Sequence, residues 1–375
     1  MYFLKPVLKS EIGGGLVLMA SAVIALLWAN SPAAPLYFDT LKTYVFGLSI
    51  LHWINDALMA VFFLLVGLEI KRELVEGELS TPASRVLPGF AAIGGMVVPA
   101  LVFIAINTGS VEGLRGWAIP VATDIAFSLG VLALLGSRVP ASLKVFLTAL
   151  AIIDDLGAIV IIALFYSTGL SPVVIGLAVL MVVVLSALNL ARVKVLWPYL
   201  LFGLILWYLV LKSGVHATIA GVVLAMTIPI ERDGSKSPLR VLEHALQPWV
   251  TFLVLPVFAL ANAGVALGGV SGEALLHPVT LGIALGLFVG KQIGVFGGVW
   301  VAVRLGIAAL PDGAGWRHIY GVAILCGIGF TVSLFIGLLA FDTPELNQAT
   351  KVGVLAGSLL SAVGGWLVLR GARKS

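Results

Sequence analysis

The residues with the clearest capacity for chemistry are Asp154 and Asp155, which are adjacent in VFLTALAIIDDLGAIVIIALFY, residues 145–166. The run is otherwise uncharged and long enough to cross a bilayer. An aspartate at the centre of a membrane helix costs roughly 2.5–3.5 kcal/mol on insertion scales. Two ionised neighbours also repel each other. Carboxylates kept at this depth are typical of sites that bind protons, cations or both.

Two further charges are predicted to lie at membrane depth. Asp124 follows Thr123 in GWAIPVATDIAFSLG, where Pro120 and small polar residues predict a broken helix. An anion favours the N–H end of such a break; a plain N-cap in a kinked helix is the alternative. Lys291 lies mid-way along LGIALGLFVGKQIGVFGGVW. A buried ammonium needs a counter-ion, and we expect Asp154 or Asp155, unless Lys291 snorkels to the surface.

The segment around Lys291 also predicts a tight helix contact. Glycines recur there every fourth residue, at Gly282, Gly286, Gly290, Gly294 and Gly298. This spacing aligns them on one ridge, where another helix can approach closely. A second broken helix is predicted in ILCGIGFTVSLF, where Thr331 and Ser333 can satisfy freed backbone groups.

These residues must be positioned by membrane helices. Hydrophobic residues make up 60% of the 375 residues and charged residues only 11%, against roughly 25% charged in soluble domains. We predict an all-α polytopic membrane protein, with residues 1–375 forming a single membrane transporter domain. About twelve spans are predicted, near 12–29, 53–73, 86–106, 117–135, 145–166, 173–191, 197–211, 214–229, 249–264, 281–302, 318–341 and 352–370. The seventh and eighth are short and expected to form a hairpin that does not cross fully.

The two predicted breaks fall in the fourth and eleventh spans. Each is the middle member of a three-span block, about 86–166 and 281–370, and the two blocks begin on opposite sides of the membrane. Interrupted helices at matching places in two halves indicate a transporter with inverted repeats.

The cations predict the orientation. With both termini in the cytoplasm, 17 of the 22 Lys and Arg residues lie inside and four outside, leaving Lys291 in the membrane. This is the positive-inside pattern. The net charge of +4 is too small to argue for nucleic acid.

The remaining polar residues carry weaker signals. Glu69 and Glu73 end the second span one turn apart, and form either a solvated helix end or a funnel that attracts cations. His216 and His244, the latter beside Glu243, can titrate near neutral pH, although a lone histidine is more often only hydrogen-bonded. No two histidines have the helical spacing of metal ligands, which argues against a zinc site.

The chain resembles the NhaA family of sodium/proton antiporters. The resemblance runs from the first span to the last and is carried by FFLLVGLEIKREL, GWAIPVATDIAFSLG, ALAIIDDLGAI, LKSGVHATIAG, PVFALANAG and ILCGIGFTVSLFI. It implies twelve helices, with the fourth and eleventh unwound and crossing at mid-membrane. That family is one of the inverted-repeat transporters, so this expected fold is carried over from the resemblance.

The resemblance also implies roles for residues. Asp154 and Asp155 would form the ion and proton site, with Thr123 as a supporting oxygen for Na⁺. Asp124 would compensate the positive half-helix ends, and Lys291 would compensate the negative ends and pair with Asp154. Five residues match positions linked to pH sensing at the cytoplasmic side: Glu69, Glu73, Glu243, His244 and His216.

The resemblance places the protein in the bacterial inner membrane, within the lipid bilayer, and needs no cofactor. Family members often dimerise through a hairpin between the first two spans. The connection here, about residues 30–52, looks short for one, so the sequence leaves a homodimer open.

The mechanism expected from the residues is competition. Sodium and lithium prefer oxygen ligands, as hard divalent ions do, and carboxylates supply them only when deprotonated. The pair and Lys291 titrate as a coupled unit. Exchange is electrogenic if two protons leave per cation, the second from Asp154 or Lys291.

Three alternative functions are a channel, a cation-coupled symporter and an intramembrane aspartyl protease. A channel needs a continuous polar path, and a protease of that kind would carry a GxGD signature, which is absent.

Overall fold

The computed structural model describes residues 11–372, apart from 168, 232–236, 267 and 269–274. Both ends of the chain, together with Arg232 and Lys236, therefore lie outside the described residues, although the orientation predicted from the cations depends partly on them. The described part is helical except for one two-stranded antiparallel hairpin, β1 (Tyr44–Val45) and β2 (Leu48–Ser49). The predicted all-α class is confirmed.

Fifteen helices follow one another in the described residues. The first half of the chain contains α1 (Glu11–Ala29), α2 (Ala34–Lys42), α3 (Ile50–Val75), α4 (Pro82–Asn107), α5 (Val111–Val121), α6 (Ile125–Ala133), a short 3₁₀ turn (Gly136–Arg138), α7 (Ala141–Phe165) and α8 (Pro172–Leu190). The second half contains α9 (Leu196–Ser213), α10 (Ile219–Thr227), α11 (Pro238–Asn262), α12 (Pro278–Arg304), α13 (Trp316–Leu325), α14 (Phe330–Ala340) and α15 (Pro344–Arg370).

Eight of the described helices are long and apolar enough to cross a bilayer, and three further pairs of helices are bent at a short break. Two of these pairs, α5–α6 and α13–α14, bend by 44° and 42° and coincide with the predicted fourth and eleventh spans. The third, from Gly13–Ala29 to α2, bends by 111°. The number twelve is thus not established, because at most eleven crossings among the described residues meet these requirements of length and composition.

Of the two segments expected not to cross fully, the seventh is long enough to cross, as α9 (Leu196–Ser213), whereas the eighth, 214–229, is short as predicted. Its helix α10 has only nine residues and is about 14 Å long, less than half of a hydrocarbon core about 30 Å thick. Gly214 ends α9 in a left-handed conformation, with φ +86°, which glycine adopts without strain. The chain therefore turns sharply before α10, as the short seventh and eighth segments suggested.

The helix of the ninth span begins earlier than the predicted bounds, 249–264. α11 starts at Pro238, with Ser237 accepting a bond from the Arg240 backbone N–H as its N-cap. Glu243 and His244 therefore lie on a helix, before the predicted start of the ninth span. The polar residues of its first three turns hid this amphipathic start from a search for apolar runs.

The described residues group into two compact units. One comprises the chain up to Tyr37, Thr81–Ala158 and Asn262 onward; the other comprises Phe38–Ser80 and Ile159–Ala261. In the second unit, buried apolar side chains such as Leu185, Tyr199 and Leu224 form a core between α3, α8, α9 and α10. α3 and α10 touch closely there, because a Cβ at Gly67 would collide with Ala225.

In the first unit, α4 and α12 form the tightest helix pair. A Cβ added at Gly294 would collide with the backbone carbonyl of Gly94, and one at Gly298 with that of Phe90. The glycine ridge predicted around Lys291 thus does allow a close approach, and its main partner is α4. Such backbone contact is typical of packing by small residues in membranes.

Candidate functional site

The first break positions Asp124. The chain turns as a 3₁₀ helix through Arg115–Val121, which includes Pro120, and then runs extended to Asp124. Proline supplies no N–H and clashes with the preceding turn, which favours an irregular backbone here, although α4 continues through Pro88 and Pro99. Asp124 is the N-cap of α6, and its Oδ1 accepts a bond from the Phe127 N–H at 2.9 Å.

The second break meets the first at Asp124. The Oδ2 atom of Asp124 accepts bonds from the backbone N–H of Thr331, at 3.0 Å, and from its hydroxyl, at 2.6 Å. Thr331 lies in the first turn of α14, so the carboxylate faces the positive ends of two half-helices. The Asp124 N–H in turn donates to the Ile328 carbonyl at 2.6 Å.

Asp154, Thr123 and Lys291 form a buried triad. The ammonium of Lys291 donates to Asp154 Oδ2 at 2.6 Å and to Thr123 Oγ1 at 3.0 Å. Thr123 Oγ1 also lies 2.7 Å from Asp154 Oδ2 and 2.9 Å from the Cys326 carbonyl, the two acceptors available to its single proton. Asp154 and Lys291 are 0% exposed. Between the two counter-ions that the sequence offered, the structure selects Asp154.

The triad leaves one carboxylate oxygen over. Asp154 Oδ1 is buried and has no hydrogen-bond partner among the described residues. Asp155, the next residue of α7, is also buried. Leaving a buried acceptor unsatisfied costs about 1–3 kcal/mol, so this oxygen favours a proton or a cation nearby.

Lys291 follows an irregular segment of α12 and lies close to α4. A π-helical segment, Gly286–Gly290, immediately precedes it within α12, and such segments are frequent at functional sites. Its side chain passes Gly95 of α4, where an added Cβ would come within 3.7 Å of the ammonium. The glycine contacts between α4 and α12 therefore leave the room in which Lys291 reaches Asp154.

A cluster of paired acidic and basic side chains lies at the C-terminal end of α3. Arg72 donates from Nε to Glu243 Oε1 and Oε2, at 2.9 and 3.1 Å, and from Nη1 to Glu73 Oε1 at 2.6 Å. Glu69 lies within electrostatic reach of all three. Beside them, Arg240 pairs with Glu76 at 2.6 Å. Three of the five residues matched to pH sensing thus share one cluster.

The two histidines do not join this cluster equally. His244 lies one residue beyond Glu243 on α11, with its exposed ring bonded to the Arg240 carbonyl at 2.8 Å. His216 lies in the turn between α9 and α10, at the N-terminal end of α10. Lys71 binds the Met226 and Ile228 carbonyls at the opposite end of α10. The structure therefore does not bring His216 to the acidic side chains.

Comparison with known proteins identifies the family. The family model for Na⁺/H⁺ antiporter 1 matches residues 5–369. A protein of Nitrobacter hamburgensis named Na(+)/H(+) antiporter NhaA is 62% identical over 371 residues, covering 98% of this chain and 91% of the relative. A protein of the same name from Caulobacter vibrioides is 60% identical over 371 residues, covering 98% and 90%.

This chain belongs to the Na⁺/H⁺ antiporter 1 family. The resemblance drawn from the sequence is thereby confirmed. The family is one of multi-pass membrane transporters and not of enzymes, which excludes the intramembrane protease.

The oxygen atoms near the triad suit a hard cation. Near the triad the available ligands are carboxylate, hydroxyl and carbonyl oxygens, the type that hard cations prefer. Among the described residues, no group of three or more His, Cys, Asp or Glu side chains is arranged to hold a resident metal ion.

Sequence reasoning missed Ser128, which ties the two breaks together, and Ser358, which ties the second break to α15. The Ser128 hydroxyl donates to the Leu325 carbonyl at 3.2 Å, and Ser358 Oγ accepts from the N–H groups of Gly329 and Phe330. The predicted role of Ser333 is met, but across the crossing, since it donates to the Ile119 carbonyl at 2.6 Å. In the sequence, each of these serines is only a hydroxyl residue near a break. A serine inside a helix can instead donate to the carbonyl four residues before it, so the sequence does not distinguish the two roles.

Proposed function

We propose that this protein exchanges sodium, or lithium, for protons across the membrane. Asp154 and Asp155 bind either the cation or protons, with Thr123 as a further oxygen ligand for Na⁺. Because a carboxylate coordinates a cation only when deprotonated, the two kinds of ion exclude each other from the same oxygens. Exchange then needs no cofactor and no ATP.

The observation that carries this proposal is the buried contact between Lys291, Asp154 and Thr123. An ammonium 2.6 Å from Asp154 Oδ2 already supplies one positive charge to this carboxylate. A cation binding to the same carboxylate meets that charge, and repulsion between like charges favours loss of a proton from the group. Cation binding and proton release are thereby coupled through one oxygen pair.

The coupling makes the exchange electrogenic. If a single charge enters the site and two protons leave it, one net charge moves per cycle. One proton comes from Asp155 and the second from Asp154 or from Lys291; both carriers are compatible with the triad. A current dependent on sodium, measured on a solid-supported membrane, tests this stoichiometry.

We infer alternating access from the two broken helices, as expected for a single transporter domain with inverted repeats at about 86–166 and 281–370. In support, α4, α5–α6 and α7 match α12, α13–α14 and α15 in order, each group with its break in the middle element. Asp124 would neutralise the positive half-helix ends at their crossing, and Lys291 the negative ends.

We propose that the cluster of Glu69, Glu73 and Glu243 adjusts transport to pH, with His244 at its edge. Arg72 bridges two of these carboxylates, so protonating either one weakens an ion pair. His216, at the other end of α10, would act separately from this cluster.

We propose that the protein lies in the bacterial inner membrane with both termini in the cytoplasm. The family and the distribution of Lys and Arg along the chain support this location. We also propose a homodimer. The connection after the first span is short, yet the hairpin Tyr44–Ser49 forms within it and presents Phe46 at 95% exposure. An apolar side chain this exposed, in the turn of the hairpin, favours contact with a second copy. Cross-linking of wild type and Phe46→Glu in native membranes tests this.

The decisive experiment follows the pH inside everted vesicles with a fluorescent dye, while NaCl, LiCl or KCl is added across a pH series. We expect sodium or lithium to release the acid gradient in wild type, and Asp155→Asn to abolish the response. Asp342→Asn is the matched control, because Asp342 is exposed and lies between α14 and α15.

Transport by Asp155→Asn at the wild-type rate would overturn the proposal. Calorimetry gives a second test. In buffers of different ionisation enthalpy, sodium binding should release protons, and binding without release would refute competition. A response that needs an added organic solute would indicate a symporter instead.

A further inference from the structure

A groove opens on the outer side of α12 and α13, away from the triad. Its volume is about 480 Å³, within the roughly 300–1,000 Å³ range of ligand sites in proteins. Six of its lining residues lie on α12 and one, Tyr320, on α13. The α12 residues include Val289, Ile293 and Trp300, spaced four and seven residues apart, so the groove follows one face of that helix.

The groove is built and not merely a gap between helices. The ring of Phe296 meets those of Trp316 and Tyr320 edge-on, with centroids 5.6 and 5.7 Å apart. At Gly297 an added Cβ would meet nothing within 4 Å, so the missing side chain leaves the concavity open. The walls are therefore rigid aromatic rings around a position that holds no side chain.

The inner end of the groove satisfies its own polar groups. The Tyr320 hydroxyl donates to Gln292 Oε1 at 2.8 Å, and Gln292 Nε2 donates to the Phe288 carbonyl at 2.6 Å. With these groups paired, the surface offered to an occupant is apolar. A hydrocarbon chain fits this lining better than a polar solute.

The outer end carries a positive charge. Arg304, in the last turn of α12, places its guanidinium over the Trp300 ring, 5.5 Å from the centroid. From Val289 to Arg304 the helix rises about 22 Å. Half of a hydrocarbon core is about 15 Å thick, so this length leads from near mid-membrane to the headgroup level. An acyl chain along the groove therefore brings its phosphate to Arg304.

We propose that this groove binds one anionic diacyl phospholipid. One acyl chain lies along Trp300, Phe296 and Ile293, and Arg304 binds the phosphate through its fork of N–H donors. The site is distinct from the ion site and from antiport itself. The groove nevertheless borders the ion site, because Gln292 follows Lys291 and Val289 belongs to the π-helical segment before Lys291.

The test is native mass spectrometry of the full chain released from detergent with equal amounts of phosphatidylglycerol and phosphatidylcholine of the same acyl chains. Wild type is expected to retain one phosphatidylglycerol in preference to phosphatidylcholine. Arg304→Gln should lower that preference about fivefold, the effect of one arginine near an anionic lipid, and Arg304→Lys should retain most of it.

Arg370→Gln is the matched control. Arg370 also ends a helix with its guanidinium over a tryptophan, Trp366, at 4.9 Å, but Trp366, unlike Trp300, does not line the groove. Its preference for phosphatidylglycerol should equal that of wild type. Ile293→Trp, which fills the groove, should lose the retained lipid of either kind.

Two results would overturn the proposal. Equal retention of both lipids by wild type would mean that the groove holds bulk lipid only. An equal loss in Arg304→Gln and Arg370→Gln would mean that any cation at this level suffices. Circular dichroism of each variant separates loss of the site from loss of the fold.

Discussion

The closest helix contact gives the sharpest prediction, for Gly294→Ala. The new Cβ would overlap the Gly94 carbonyl, whereas carbon and oxygen atoms rest about 3.5 Å apart, so α4 and α12 must separate by roughly 1 Å. Overpacking of this kind costs about 1–3 kcal/mol. The separation also draws Lys291, one turn away, from Asp154. We expect lower stability together with a higher KM for sodium.

Gly297→Ala on the same helix is the control. Its Cβ would meet nothing within 4 Å, and alanine favours a helix over glycine by up to about 1 kcal/mol. Its stability should therefore equal or exceed that of wild type. The assay is unfolding in mixed micelles of dodecylmaltoside with increasing SDS, followed by circular dichroism. Equal midpoints for Gly294→Ala and Gly297→Ala would refute the claim that backbone contact sets this helix pair.

Three further substitutions test the site by the same unfolding assay. Lys291→Gln leaves Asp154 without its ammonium and should cost about 3–5 kcal/mol; adding Asp154→Asn should recover part of this, and strictly additive losses would speak against the pair. Thr331→Val removes one bond to a charged carboxylate and should cost about 1.5–3 kcal/mol, while Thr331→Ser should cost less. Arg72→Gln should destabilise by a similar amount, unlike Lys194→Gln, whose exposed ion pair is worth about 0–1 kcal/mol; equal effects would contradict the cluster.

Sequence patterns predicted the breaks because their causes are local. Pro120 removes a backbone donor and kinks or breaks a helix, and the glycines around Ile328 weaken one. Charges within apolar runs identified Asp124, Asp154 and Lys291 for the same reason: their cost in lipid is independent of the fold.

The rest depended on contacts between distant segments. The choice of Asp154 over Asp155 as partner of Lys291 is set by how α7 is rotated about its axis, which neighbouring helices decide. The start of α11 at Pro238 escaped because an amphipathic helix gives no apolar run. The sequence leaves a hairpin between the first two spans in doubt because the connection looks short, yet strands of two residues each, too few for a pattern of alternation, form one there.

The crossing of the two broken helices has a consequence for how either side of the membrane gains access to the site. Up to six hydrogen bonds join α5–α6 to α13–α14, through Thr123, Asp124, Ser128, Thr331 and Ser333, and five of them remain when the Thr123 hydroxyl donates to Asp154 instead. At about 1 kcal/mol each, breaking these hydrogen bonds would cost several kcal/mol in every cycle. We expect the crossing to stay intact during transport, so that the bound ion stays with the carboxylates while the surrounding helices move.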